Sequence, residues 1–233
     1  MINNYYGRNK HNYLHYREDN FANYIYSLIF DDSFLKYERA IEIGAGMGRF
    51  SAPIVKEFAE TTIVEPVKDY TDILKQKFSK EQVLIVNTSA EDFLSKQTNL
   101  SPSIVFCFHL MHHLAYKQRQ FIYQFVKRTG SKGVLVEPNP FNPLIFLQTL
   151  LNPDMSITEE IQYMSLTHKR YKKEMDRSGL SITSYKRICF FPPFFSNFLL
   201  RKFSNYFLRS FEMFNFIIPF MGAYQLICFE EID

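Results

Sequence analysis

Tryptophan is absent from this 233-residue chain, and cysteine occurs only three times. Cys107, Cys189 and Cys228 each lie inside an apolar run without metal-ligand spacing, which excludes a disulfide framework and a cysteine-based metal site. They read as reduced core thiols of a cytoplasmic protein. Charge of one sign is also lacking. Against 24 Asp and Glu stand 27 Lys and Arg, a net +3, with no strongly basic stripe of the kind that binds nucleic acid. The longest uncharged stretch, 213–229, is broken by Asn215, Pro219, Gly222 and Gln225, and falls short of the ~20 apolar residues that cross a bilayer. No charged segment followed by an apolar one opens the chain, so no signal peptide is expected. What the chain has in plenty is phenylalanine: 25 residues, eleven of them between Phe190 and Phe220. At 46% hydrophobic residues it can bury a substantial core, as one domain or a domain with a lid.

The remaining residues are organised around 39–50, RAIEIGAGMGRF. An apolar strand runs into Gly44, Gly46 and Gly48, and a helix is expected directly after them. Such a bend lets backbone approach a ligand where a Cβ would collide, and turns helix N–H groups toward it. The spacing G-x-G-x-G differs from the dinucleotide fingerprint G-x-G-x-x-G, because Arg49 fills the third slot. Glu42, two residues before the first glycine, would repel a pyrophosphate but suits a ligand carrying an ammonium and a sulfonium. The next apolar strand, 62–65, ends in Glu65, about 20 residues past Gly44, where this kind of fold places the acid that accepts ribose hydroxyls.

This pair of motifs resembles the class I S-adenosylmethionine-dependent methyltransferases of the small-molecule type, over roughly 38–138. The resemblance implies an α/β fold: a Rossmann-like, seven-stranded, mostly parallel sheet of order 3-2-1-4-5-7-6 with helices on both faces. The chain order agrees with it. Strands are expected at 40–43, 62–65, 83–87, 103–108, 133–136, 180–191 and 223–230, and helices at 48–59, 67–78, 116–127 and 168–177. Residues 1–38 form an N-terminal helical lid in this reading, with a helix near 20–30 and Tyr13, Tyr16 and Arg17 as candidates for touching ligand. The methyltransferase domain then spans 39–233. It includes a helical insertion at 139–170, with helices at 144–151 and 158–165, and a Phe-rich cover segment at 192–222.

Family resemblance also implies the site. Cofactor-binding residues are Glu42, Gly44, Ala45, Gly46, Gly48, Glu65, Pro66, Ser89, Ala90, Glu91, Phe108 and His109. The cofactor is S-adenosyl-L-methionine, leaving as S-adenosyl-L-homocysteine, and no metal is called for. Adenine contacts fall to the Ala90 N–H and to Glu91, or to Asp92 if the loop slips by one; the same residues also read as a plain helix N-cap. Methyl transfer from a sulfonium needs a base only when the nucleophile keeps its proton at neutral pH. His109, His112 and His113 after the fourth strand, and Glu137 after the fifth, are the groups within reach, with His109 and His113 the catalytic candidates and a loop-shaping role for His112 as the alternative. The expected acceptor is a small molecule, hydrophobic or lipid-linked, methylated on O or C. Nucleic-acid enzymes of this fold usually carry a D/N/S-P-P-aromatic box after the fourth strand, where this chain has His109-Leu110-Met111-His112. Residues 194–216 form either the apolar face of a cover helix or a greasy pocket that docks on a membrane surface. A non-catalytic or membrane-docked module of the same fold is the competing reading.

Overall fold

The computed structural model describes residues 18–97, 101–151, 161–190, 205–218 and 222–231. Seven strands form one sheet: β1 (Arg39–Ile43), β2 (Glu60–Val64), β3 (Val83–Val86), β4 (Ile104–Phe108), β5 (Lys132–Pro138), β6 (Ser181–Ile188) and β7 (Tyr224–Glu230). Their order is β3-β2-β1-β4-β5-β7-β6, as expected. Parallel pairing runs from β3 to β5, and β7 is antiparallel to both β5 and β6. Every residue of β4 and β5 is buried, which is why these strands read as continuous apolar runs instead of alternating ones.

Helices cover both faces. On one face α1 (Glu18–Ile29) and α2 (Ser51–Glu57) pack Phe21, Tyr24, Ile25 and Ile54 against Phe106, Val134, Val136 and Leu226. On the other face α4 (Ala90–Lys96), α5 (Tyr116–Thr129) and α7 (His168–Arg177) cover Val105, Cys107, Leu135 and Phe229. Between them in sequence lie α3 (Lys68–Lys77), whose Leu74 packs on Ile63, and α6 (Pro143–Leu151). The cover segment contributes α8 (Asn205–Glu212) and α9 (Phe214–Ile217). Among the described residues no helix is long and apolar enough to cross a membrane.

Boundaries differ from expectation for local reasons. The helix after the glycines begins at Ser51, not 48, because Gly48 sits at φ +75°, outside helical space, and the later start also leaves Pro53 in the first turn where it costs no hydrogen bond. The helix expected at 158–165 is a 3-10 turn over Ile161–Ser165, and its first three residues lie outside the described ones. β6 stops at Ile188 because Cys189 turns left-handed, φ +61°. Tyr13, Tyr16, Arg17 and the side chains at 194–207 fall outside the described residues.

Candidate active site

The bend after β1 needs its three glycines for different reasons. All three have positive φ, between +56° and +75°. A Cβ at Gly44 would lie 2.6 Å from Leu110 Cδ1, and one at Gly48 would lie 2.5 Å from Leu74 Cδ2, so these two allow close packing. At Gly46 nothing stands within 4 Å of the Cβ position, so that glycine borders open space. Of the three, Gly46 therefore leaves room for a ligand to meet the backbone.

Both acids face this bend. Glu65, at the end of β2, accepts from Gly46 N–H at 2.8 Å and from Val67 N–H at 2.9 Å. Burial pushes its carboxyl up from the ordinary value, and the two N–H groups pull it back. Asn87 fixes the strand end by donating to the carbonyls of Glu65 and Pro66, both at 3.0 Å. Glu42 is 1% exposed, and its Oε2 has no hydrogen-bond partner. Burial raises its pKa to about 7; Ser51 and Lys77 lower it, and Glu65 raises it further. An orphaned buried carboxylate oxygen costs stability.

Beyond β3, Ser89 caps α4, accepting from Asp92 N–H at 3.0 Å and donating to Asp92 Oδ2 at 2.8 Å. The N-cap reading is thus correct, and Asp92 is engaged while Glu91 stays exposed. Ala90 opens the helix beside them, so its N–H belongs to the first turn.

Strand β4 ends on an aromatic wall. Phe50 stacks on Phe108, with ring centroids 4.7 Å apart, and on His109 at 5.8 Å. Tyr224 meets His109 edge-on at 4.6 Å, and Phe21 of α1 touches both Phe50 and Tyr224. His109 itself adopts φ +52°, a strained conformation for a residue with a Cβ. Neither Phe50 nor Tyr224 carried a signal in the sequence, since each reads as an ordinary core aromatic.

Following His109 is a 3-10 turn, Met111–His113. Its amides are taken by Glu137: Oε1 accepts from Leu110 N–H at 2.8 Å and Met111 N–H at 2.9 Å, and Oε2 lies 2.6 Å from His112 Nδ1. At the other end Arg119 donates to the carbonyls of Met111 and Leu114 and forms a bidentate pair with Glu174, 2.7 and 2.8 Å. Glu137 therefore anchors this turn and is not available as a base. His112 is buried with it, while His113 is exposed and lies tilted against His112, ring centroids 4.0 Å apart.

Residues 41–136, from β1 to β5, match the family model described as a methyltransferase domain. Comparison with curated protein sequences finds no match. Among solved structures the fold is similar to that of a SAM-dependent methyltransferase from Archaeoglobus fulgidus, with 15% identity and a TM-score of 0.65, over 92% of this chain and 94% of that one. It is also similar to the plantazolicin methyltransferase BamL in complex with a triazolic desmethylPZN analog and SAH (14% identity, TM-score 0.58, 97% and 86% covered). Magnesium protoporphyrin IX methyltransferase from Synechocystis PCC 6803, with bound SAM, is a third (10% identity, TM-score 0.54, 92% and 80% covered).

Proposed function

We propose that this chain is a class I S-adenosylmethionine-dependent methyltransferase and that it methylates the oxygen or carbon of a small, apolar acceptor. The observation that carries the donor site is the placing of Glu65 on Gly46 N–H, together with the unpartnered oxygen of Glu42, two residues before Gly44. Glu65 keeps lone pairs for ribose hydroxyls, Glu42 receives the ammonium, and the first turn of α4 with Ala90 and Glu91 reads adenine. Gly44, Ala45, Gly46 and Gly48 supply the close backbone, and Pro66 carries the chain away from Glu65. S-adenosylmethionine supplies a methyl already activated on a sulfonium. The chain's own task is to align an acceptor in line with it and to exclude water.

The wall of Phe21, Phe50, Phe108, His109 and Tyr224 serves that task. It supports an apolar acceptor, and the small-molecule substrates named for the plantazolicin and protoporphyrin enzymes agree with this class. His109, within the wall, is the imidazole placed to take a proton from a hydroxyl nucleophile, with His113 as the second candidate. Helix α1, buried against the same wall, serves as part of a lid. The three buried thiols suit a cytoplasmic setting.

Glu65→Ala is expected to weaken S-adenosylhomocysteine binding by about 1.5–3 kcal/mol, roughly 10- to 150-fold, the worth of charge-assisted hydrogen bonds to the ribose. Isothermal calorimetry reads this directly, and an unchanged affinity removes Glu65 from the site. We further propose a peripheral membrane contact for a lipid-linked acceptor. Helix α6 has no charged residue and exposes Leu144, Leu147 and Leu150, the second at 47%. Met213 and Phe214, from the proposed 194–216 contact, are exposed as well. The protein should float with anionic liposomes, and the Leu144→Ser/Leu147→Ser variant should not. Wild-type protein that stays in the pellet fraction overturns the contact.

A further inference from the structure

Helix α7 carries Lys169, Arg170, Lys172, Lys173 and Arg177 against Glu174 and Asp176, so this one helix holds as much net charge as the whole chain, +3. Both acids are spent. Glu174 is buried on Arg119 and Arg170, and Asp176 takes Lys172 at 2.8 and 2.9 Å. What remains is Lys169, Lys173 and Arg177, all exposed and, among the described residues, in no ion pair. Their spacing of four residues sets them in one row along the helix, away from the buried Tyr171, Glu174 and Met175. Like charges at that spacing destabilise a helix. Lys169 also lies in a first turn without an acid, where the helix dipole disfavours a cation. The fold gains nothing from such a row, and a polyanion opposite it would remove the repulsion.

What lies beside the row selects the polyanion. The Leu166 carbonyl, just ahead of α7, accepts from Gln225 Nε2 at 2.7 Å, and Gln225 pairs with Glu137 near the end of β5. Helix α6 starts from that same end, where Asn142 Oδ1 accepts from Leu144 N–H at 2.9 Å and Ile145 N–H at 3.0 Å. The first turn of α7 and the exposed Leu144 and Leu147 of α6 are therefore rooted at one end of the sheet. Ile161 and Met164, also exposed, lie on the 3-10 turn that leads into α7. A nucleic-acid backbone offers phosphates but nothing to cover these side chains, whereas an acidic bilayer offers a charged surface with an apolar layer beneath it. Resting on the membrane contact of the preceding subsection, we propose that Lys169, Lys173 and Arg177 meet anionic lipid headgroups and make that contact selective for acidic membranes.

Flotation titrated with vesicles of phosphatidylcholine alone, and of phosphatidylcholine with one third phosphatidylglycerol, tests this. Wild-type protein should bind the acidic vesicles roughly tenfold or more tightly, and lose most of that margin in about 0.5 M salt. Lys169→Gln/Lys173→Gln should weaken acidic-vesicle binding by roughly 10- to 30-fold, yet melt no lower than wild type because it removes a repulsion. Lys75→Gln/Lys80→Gln, exposed lysines on and just after α3, should bind as wild type does. Equal wild-type binding to the two vesicles overturns the headgroup assignment while leaving the apolar contact standing. So does an equal loss in the two double variants, which would mark net charge alone. Wild-type protein that floats with neither vesicle defeats the membrane contact itself, a distinct result. If that protein then binds a DNA duplex and the row variant does not, the partner is nucleic acid instead.

Discussion

Glu137→Ala is expected to cost the fold about 3–5 kcal/mol, because it strands two backbone N–H groups and a buried imidazole at once. The carboxyl is 1% exposed, and burial alone would raise its pKa. His112, His109 and the Met111 N–H more than reverse that, holding it below the ordinary carboxylate value. Charge and turn are matched in direction. A carboxylate takes the free amides at the start of the 3-10 turn, and the Arg119 guanidinium takes the carbonyls at its end. Since Leu110 packs against Gly44, loosening the turn should also weaken donor binding. Urea denaturation reads the stability, and Glu137→Gln, which keeps an acceptor for the two amides, should recover most of it. A depressed pKa means that the stabilisation from Glu137 is complete above the ordinary carboxylate value and is lost as pH falls through its folded pKa. A Glu137→Ala protein with wild-type denaturation would show that the turn holds itself.

Glu42 has the opposite sign, and its effect reaches the ligand. Its folded pKa of about 7 lies above the ordinary 4.5, so the donor-free protein binds more protons than the unfolded chain between those values. Stability from this group is therefore full below about pH 4.5 and lost as pH rises through 7, about 3 kcal/mol in all. Donor binding should run the other way. Only the ionised carboxylate attracts the ammonium, so affinity for S-adenosylmethionine should fall about tenfold between pH 8 and pH 6. Glu42→Gln should flatten both profiles, stabilising the donor-free protein at pH 8 while weakening the donor. Thermal melts and calorimetry across pH measure the two arms. A pH-independent affinity in the wild type would mean that Glu42 does not meet the ammonium. Such a group trades stability for function, as a buried charge kept ready for its counter-ion must.

How much of this was legible before folding depends on whether the signal is local. The glycine bend and its two acids were legible, because an apolar run, glycines at alternate positions and an acid about 20 residues on are properties of chain order alone, and the strand order followed only from the family resemblance that those motifs carry. The cap at Ser89 was readable for the same reason, since its partner Asp92 is three residues away. Glu137 looked like a spare base because its three donors come from 25–27 residues upstream, across a parallel strand pair that no local pattern records. Phe50 and Tyr224 were invisible as site residues, for their meeting at His109 joins chain positions held together only by the sheet. Residue order by itself determined the fold class and the acids of the bend, since periodicity and short-range backbone geometry decide those. Only tertiary structure decided which carboxylate is spent and which is free, because that depends on the donors that distant strands bring within hydrogen-bond reach, and on how completely they exclude water.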